Sequence, residues 1–374
     1  MKRFLSLLFV ASLFLAGRVV ADTSVLAKTV KGSPEIGQID VLGFAPGGVL
    51  LIGDGSKQQV VAVNTGDVKK SGGKIKPVTG FKSELASRLG VKAGEVEIID
   101  MVVNSASEKV YFAVRKQDDK SYVIVRIGSK GAMELVSLKN VEYAKVPLPK
   151  GEKAPVTKIT DVAWAGGRLV AAARCNEEFA SKIFATNGAL SHGKKEQIYS
   201  AETYHVAHGR WETKAPMSTL IPYEEDGKHY IVGAFTCTPV VKYPLDDLKP
   251  GAKIKGISMI ELGNGNRPLD MFAYEKGGKG SVLANTFRVH HKRHAFGPSP
   301  YWAARFDEDL LAGSKVNKEA TRRLKGRTFE LATDKIELVE DFHGVVQMDR
   351  LNKTHAVGLR QSGKDVDLVL VALP

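Results

Sequence analysis

Cysteine and aromatic residues are scarce in this 374-residue chain, which has two cysteines, three tryptophans and 7% aromatics. Two cysteines rule out a cysteine-rich scaffold, so an ordinary apolar core has to hold the fold. Beyond the first twenty residues no segment approaches the roughly 18 apolar residues that a membrane-spanning helix needs. Nucleophile signatures are missing: there is no GxSxG, and neither Cys175 nor Cys237 has a histidine partner in a known local pattern. The stretches "APGG", "GNGN" and "EKGGKG" lie between strand-like runs and precede no helix, which excludes a phosphate-binding loop. Long helical periodicity is nearly absent too, and "FKSELASRLGV", residues 81–91, is the one convincing helix.

What is present begins with Lys2, Arg3, a run of about a dozen mostly apolar residues, and Val19-Val20-Ala21. This reads as a secretory signal over residues 1–21, with residues 22–374 as a single domain that is secreted or periplasmic and expected to be monomeric. The formal charge of +13 falls to +10 without Lys2, Arg3 and Arg18. A basic surface favours anionic partners: a small anion, an acidic glycan, or an envelope or protein surface. Specific nucleic-acid binding is disfavoured, because the lysines are spread through turns and no nucleic-acid motif occurs.

Short runs rich in Val and Ile, separated by Gly, Asn, Asp and Lys, give an all-β signature. Aligned, they form six copies. They start at "QIDVLGFAPGGVLLIGDG", "IIDMVVNSASEKVYFAV", "ITDVAWAGGRLVAAARC", "STLIPYEEDGKHYIVGAFTC", "PLDMFAYEKGGKGSVLANTF" and "VEDFHGVVQMDRLNKTHAVGLR". Asp40, Asp100, Asp161, Asp270 and Asp341 mark five of them, with Ser218 or Thr219 at the vacant fourth position. About four strands per copy suits the blades of a β-propeller. Fourth strands are expected at "KIKPVTG", "MELVSLK", "EQIYSA", "ISMIEL" and "KIELVE", and the last copy lacks one. The reading is therefore a six-bladed propeller, closed by the early strand "SVLAKTV" completing the last blade. A seven-bladed ring, using residues 199–216 in an extra blade, is the alternative.

In such a ring, the loops leading into inner strands and those joining second to third strands share one face. That face would gather the five aspartates, either as turn caps bonded to backbone N–H groups or as a polar, cation-binding funnel. It would also receive Arg174, Arg360 and Arg267. "YHVAHGRWETKAP" adds His205, His208, Arg210, Trp211 and Glu212, while "FRVHHKRHAF" adds Arg288, His290, His291 and His294. Three readings of these histidines stand: a shared site for Cu, Zn or Ni, recognition of an anion, or a solvated loop. Asp40, Asp100, Asp161, Asp270, Asp341, His205, His208, His290 and His291 are the metal-ligand candidates. Cys175 and Cys237 fall at equivalent places in neighbouring blades, so a cross-blade disulfide is expected, with a metal-binding pair or two free thiols as the alternatives. "FRVHHKRHAF" opens an enlarged loop, and enlarged loops on a ligand face tend to carry function.

The repeat resembles, at the level of architecture, exported six-bladed propellers such as NHL-repeat proteins, gluconolactonase-like proteins and soluble PQQ-dependent sugar dehydrogenases. The gluconolactonase-like resemblance implies a divalent cation near the axis, for which Asp40, Asp100, Asp161 and Asp270 are the counterparts. The quinone-enzyme resemblance implies a histidine base and arginine contacts, for which His205 or His208 and Arg267 would stand. Two functions follow. One is a noncatalytic binder of an anionic, glycan or protein ligand; the other is a metal- or quinone-dependent enzyme of the lactonase or sugar-dehydrogenase kind with an axial site.

Overall fold

Runs of β-branched residues broken by Gly-, Asp- and Lys-rich turns pair into antiparallel hairpins, because extended backbone needs a hydrogen-bonded neighbour and the turns supply the reversals. The computed structural model describes residues 24–129, 131–249, 252–292, 297–322 and 333–374, so the leader reading for residues 1–21 lies outside the described residues. The protein is a six-bladed β-propeller. The inner strands of blades 1 to 6 are Val41–Ala45, Val96–Asn104, Val156–Ala165, Met217–Glu225, Asn266–Lys276 and Val345–Arg350.

Six apolar clusters, one between each pair of adjacent blades, reveal the order around the axis. Residues of blade 1 such as Leu51 and Val60 pack with Ile159 and Leu169 of blade 3, not with those of blade 2 on that side. Blades 3 and 4, 4 and 5, and 5 and 6 then follow in turn. Blade 2 closes the ring: Phe112 and Val114 pack against Val357 and Leu368 of blade 6, and Tyr111 and Ile124 pack against Leu50 and Ile52 of blade 1. The order is therefore 1-3-4-5-6-2. At Gly43 an added Cβ would lie 2.8 Å from the Val162 carbonyl oxygen, so glycine is what lets the inner strands of blades 1 and 3 come this close.

The chain reaches this order by exchanging outer strands. After its third strand, Gln59–Asn64, blade 1 is left incomplete, and blade 2 is built before Val141–Pro147 returns as the outer strand of blade 1. Val30–Gly32 pairs outside that returning strand. The outgoing connection is pinned at Asp67, which accepts hydrogen bonds from Lys109, Tyr111 and Ser107 of blade 2. It then runs along blade 6, where Val78 and Leu368 exchange backbone hydrogen bonds of 2.9 Å. The helix Phe81–Leu89 starts there, with the Lys82 and Ser83 N–H groups donating to the Asp365 carboxylate, as expected at a helix N-terminus.

Two strand assignments differ from the sequence-based expectation. "KIKPVTG" serves the last blade instead of the first, and Leu26–Lys28 pairs in parallel with Leu190–Ser191 instead of closing the ring. The physical reason is that a sheet edge accepts any extended segment, and the internal connection already occupies the blade 6 edge at Leu368. Residues 199–216 make no seventh blade: Gln197–His205 is the outer strand of blade 3, and it turns back through a short hairpin into Arg210–Glu212. Val78→Pro removes the N–H that Leu368 accepts from, so it should cost about 1–3 kcal/mol. A lowered denaturant midpoint would register that loss.

Candidate functional site

The six inner strands surround an axial cavity of about 1250 Å³. At the end from which those strands start, its wall includes Lys158, Arg174, Thr236 and Arg267, with Asp40 beside them. Deeper, Asp100, Asp161, Asp270 and Asp349 line it, and the far end carries Lys70, Glu108 and Lys353. Arg174 reaches the cavity because it lies one residue before the end of the second strand of blade 3, and Arg267 because it is the second residue of the inner strand of blade 5. Lys158, Arg174 and Arg267 are exposed, and none forms an ion pair among the described residues.

The aspartates join adjacent blades. Asp40 accepts from the Ile159 N–H of blade 3 (3.1 Å), and Asp161 from Leu220 of blade 4 (2.7 Å). Asp270 accepts from Met348 of blade 6 (2.9 Å), Asp349 from Val103 of blade 2 (2.7 Å), and Asp100 from Leu42 of blade 1 (2.5 Å). Every bond runs the same way round the ring. Burial lifts the Asp161 and Asp270 carboxyls to about 7, helped by Asp349 beside Asp161 and by Asp161 and Asp349 beside Asp270. Burial likewise lifts Asp349 to about 6 and Asp100 well above the carboxylate range, the latter aided by Asp270 and Asp161.

Of Ser218 and Thr219, the two residues that the repeat offered for blade 4, Thr219 stands in the position, but the sixth mark is misplaced. A bulge between Val345 and Gln347 puts Gln347 level with Asp100 and Asp161, and Asp349 supplies the carboxylate two residues further on. Asp341 lies instead on an exposed short helix before the strand, with its carbonyl accepting from Arg360.

These carboxylates do not fit the axial cation that the gluconolactonase-like resemblance implies. Each accepts a backbone N–H from the neighbouring blade, and they are absent from the group of side chains that converges closely enough to share an ion among the described residues. Among the described residues no histidine lines the cavity either, so the base implied by the quinone enzymes has no counterpart among them on its wall.

The convergent group lies between blades 3 and 4 and comprises His205, His208, Glu212 and Cys237. His205 ends the outer strand of blade 3, His208 lies in the following turn and Glu212 on the return strand, while Cys237 sits in the second-to-third-strand turn of blade 4. His205 is 1% exposed; its Nε2 bonds Glu261 Oε2 at 2.7 Å, and its Nδ1 lies 3.6 Å from Glu212 Oε2. Burial opposes charge on His205, but Cys237, Glu212 and Glu261 around it push it up to about 11. Burial and the neighbouring His205 lower His208. Burial also works against ionised Glu212, yet His205 and the Ala215 N–H hold it down to about 2.

The remaining candidates stand elsewhere. Trp211 is exposed and packed edge-on by Tyr204 and Phe179, with Arg210 exposed beside it. Arg288 is buried, its guanidinium 3.4 Å from the centre of the Trp302 ring. His290 packs over Gly265, and His291 lies in the same turn. The two histidine loops thus meet opposite ends of residues 261–265, and His294 lies outside the described residues.

The expected disulfide is absent: both cysteines are free thiols. Equivalent positions on successive blades face the same way round a ring. Cys175 therefore packs toward blade 1 while Cys237 faces the blade 3 hairpin, with its Sγ 3.7 Å from His208 Nδ1. Burial, with Glu177 nearby, pushes the Cys175 thiol up to about 11. In chelator-treated folded protein a thiol reagent should modify Cys237 and spare Cys175, and unfolding should release a second equivalent.

No protein-family model and no curated protein matches the chain. Among solved structures it is similar to the PQQ-bound aldose sugar dehydrogenase of Streptomyces coelicolor, at 13% identity and a TM-score of 0.32, covering 93% of this chain and 100% of that one. It is also similar to a bifunctional GH43-CE protein of Bacteroides eggerthii, at 12% identity and a TM-score of 0.40. That match covers 80% of this chain and 34% of that one. A third likeness is to Chaetomium thermophilum Raptor, at 9% identity and a TM-score of 0.38, covering 93% of this chain and 30% of that one. This chain therefore spans about a third of the length of the latter two. The propeller architecture stands on the six blade sheets among the described residues.

Proposed function

We propose that the protein is an exported, noncatalytic binder of an acidic oligosaccharide, which enters the axial cavity at the end carrying Lys158, Arg174 and Arg267. The observation behind this reading is that three exposed cations without ion-pair partners among the described residues share one end of a single cavity. Carboxylated sugars suit them, because guanidinium groups bind carboxylates bidentately and ammonium supplies a mobile charge. The cavity volume exceeds what one sugar needs, so a short oligomer is the better match. Deeper in, carboxyls that hold their protons near neutral pH can donate to sugar hydroxyls. The net charge, +13 for the whole chain and +10 without Lys2, Arg3 and Arg18, draws anions toward the surface before docking. Export rests on the leader-like residues 1–21.

Calorimetric titration with oligogalacturonate, citrate and inorganic phosphate tests this reading. Saturable binding of oligogalacturonate, weakened by salt and tighter than that of the two small anions, is the expected result. Absence of any saturable binding would end it.

A further inference from the structure

We propose that His205, His208, Glu212 and Cys237 form a zinc(II) site that clamps blade 3 to blade 4. It is separate from the axial cavity and independent of the ligand bound there. Four donor atoms of these residues lie within 4.8 Å of one another. The Cys237 Sγ–His208 Nδ1 distance is 3.7 Å and the His205 Nδ1–Glu212 Oε2 distance is 3.6 Å. Tetrahedral zinc, with bonds of about 2.0–2.1 Å to nitrogen and about 2.3 Å to sulfur, has ligand–ligand edges of about 3.4–3.6 Å. Two edges of the site are thus close to their final length, and the two pairs, whose donors all lie within 4.8 Å of one another, need only a small movement toward each other.

His205 supplies a second observation. It is buried, and its Nδ1 has no partner within hydrogen-bond distance, Glu212 standing off at 3.6 Å, although a buried polar atom left without a full bond is costly. Its other nitrogen is bonded to Glu261, which is itself held by the Thr238 hydroxyl and the Gly263 N–H. A carboxylate on the far nitrogen is how proteins orient a metal-bound imidazole. Beside Cys237, Thr238 sits at φ 89°, a conformation that a β-branched residue adopts only under constraint, and such strain gathers at ligand clamps. Two imidazoles, a thiolate and a carboxylate suit zinc and disfavour calcium or magnesium, which take oxygen ligands. As the zinc bonds form, the Cys237 thiol proton and the His205 Nδ1 proton both leave to solvent, while the His205 Nε2–H goes on donating to Glu261.

The test uses chelator-treated full-length protein titrated with cobalt(II), then zinc(II). One equivalent of cobalt should bind with a thiolate-to-metal charge-transfer band, and zinc should displace it. Cys237→Ser should lose the band, and His208→Ala should weaken binding at least 100-fold. Glu261→Gln, a positioning change, should keep the band while weakening affinity about 10- to 100-fold. His229→Ala, an exposed histidine elsewhere, should change nothing. No stoichiometric uptake, uptake without the band, or a band that survives Cys237→Ser would overturn the site. Should a variant fail to fold, alkylation of the wild type decides: zinc must protect Cys237, and an unchanged alkylation rate refutes the proposal.

Discussion

Asp161→Ala should destabilise the propeller by about 1–3 kcal/mol, whereas Asp161→Asn should stabilise it at alkaline pH by about 1–2 kcal/mol. Alanine orphans the Leu220 N–H that Asp161 accepts between blades 3 and 4. Asparagine keeps one acceptor for the Leu220 N–H, gives up the second bond from the adjacent Val162 N–H, and removes a charge that burial disfavours. The same contrast is expected at Asp270, which accepts from Met348. Both side chains keep partial exposure to the axial cavity, and the screening that this allows holds the gain from asparagine to this modest size. Because the folded-state values of Asp161 and Asp270 are raised to about 7 from an ordinary 3.8, the folded protein holds protons that the unfolded chain releases. Their contribution is complete below about pH 4 and is lost as pH rises through about 7. Denaturant midpoints between pH 4 and 8 should therefore fall more steeply for the wild type than for the double asparagine variant. Equal slopes would show that these carboxyls ionise normally.

Blade number, the aspartate marks at Asp100, Asp161 and Asp270, and the helix at Phe81–Leu89 were legible because each depends on local pattern: period-two strands, turns at fixed spacing, one amphipathic run. Blade order was not. Residues 74–80 and Val141–Pro147 are both short extended runs, and nothing within either says which sheet edge it joins, since backbone hydrogen bonds carry no side-chain identity. The clamp residues were half legible. His205, His208 and Glu212 share one hairpin, but Cys237 joins them only through the facing direction of adjacent blades, and Glu261 only as the end of an apolar strand. Asp349 was masked by the nearby Asp341, because a strand bulge shifts the register without leaving a sequence mark. Lys158 reads as an ordinary strand lysine until the ring turns it toward the axis.

Replacing Lys158, Arg174 and Arg267 together by alanine should weaken oligogalacturonate binding by about 100- to 1000-fold. A single charge contact at a partly solvated site contributes on the order of 1–1.4 kcal/mol, or about tenfold in affinity. Three neighbours fall short of full additivity, which sets the lower end of the range. Stability should stay within about 0.5 kcal/mol of the wild type, because the three side chains are exposed and form no ion pair among the described residues. The salt dependence of binding should flatten in the variant as well, since fewer charges are neutralised on docking. The most direct measurement is one pair of calorimetric titrations, oligogalacturonate into wild type and into the triple variant, at low salt. Binding by the wild type and its near-complete loss in an equally stable variant is the predicted result; equal affinity in the two proteins would contradict it.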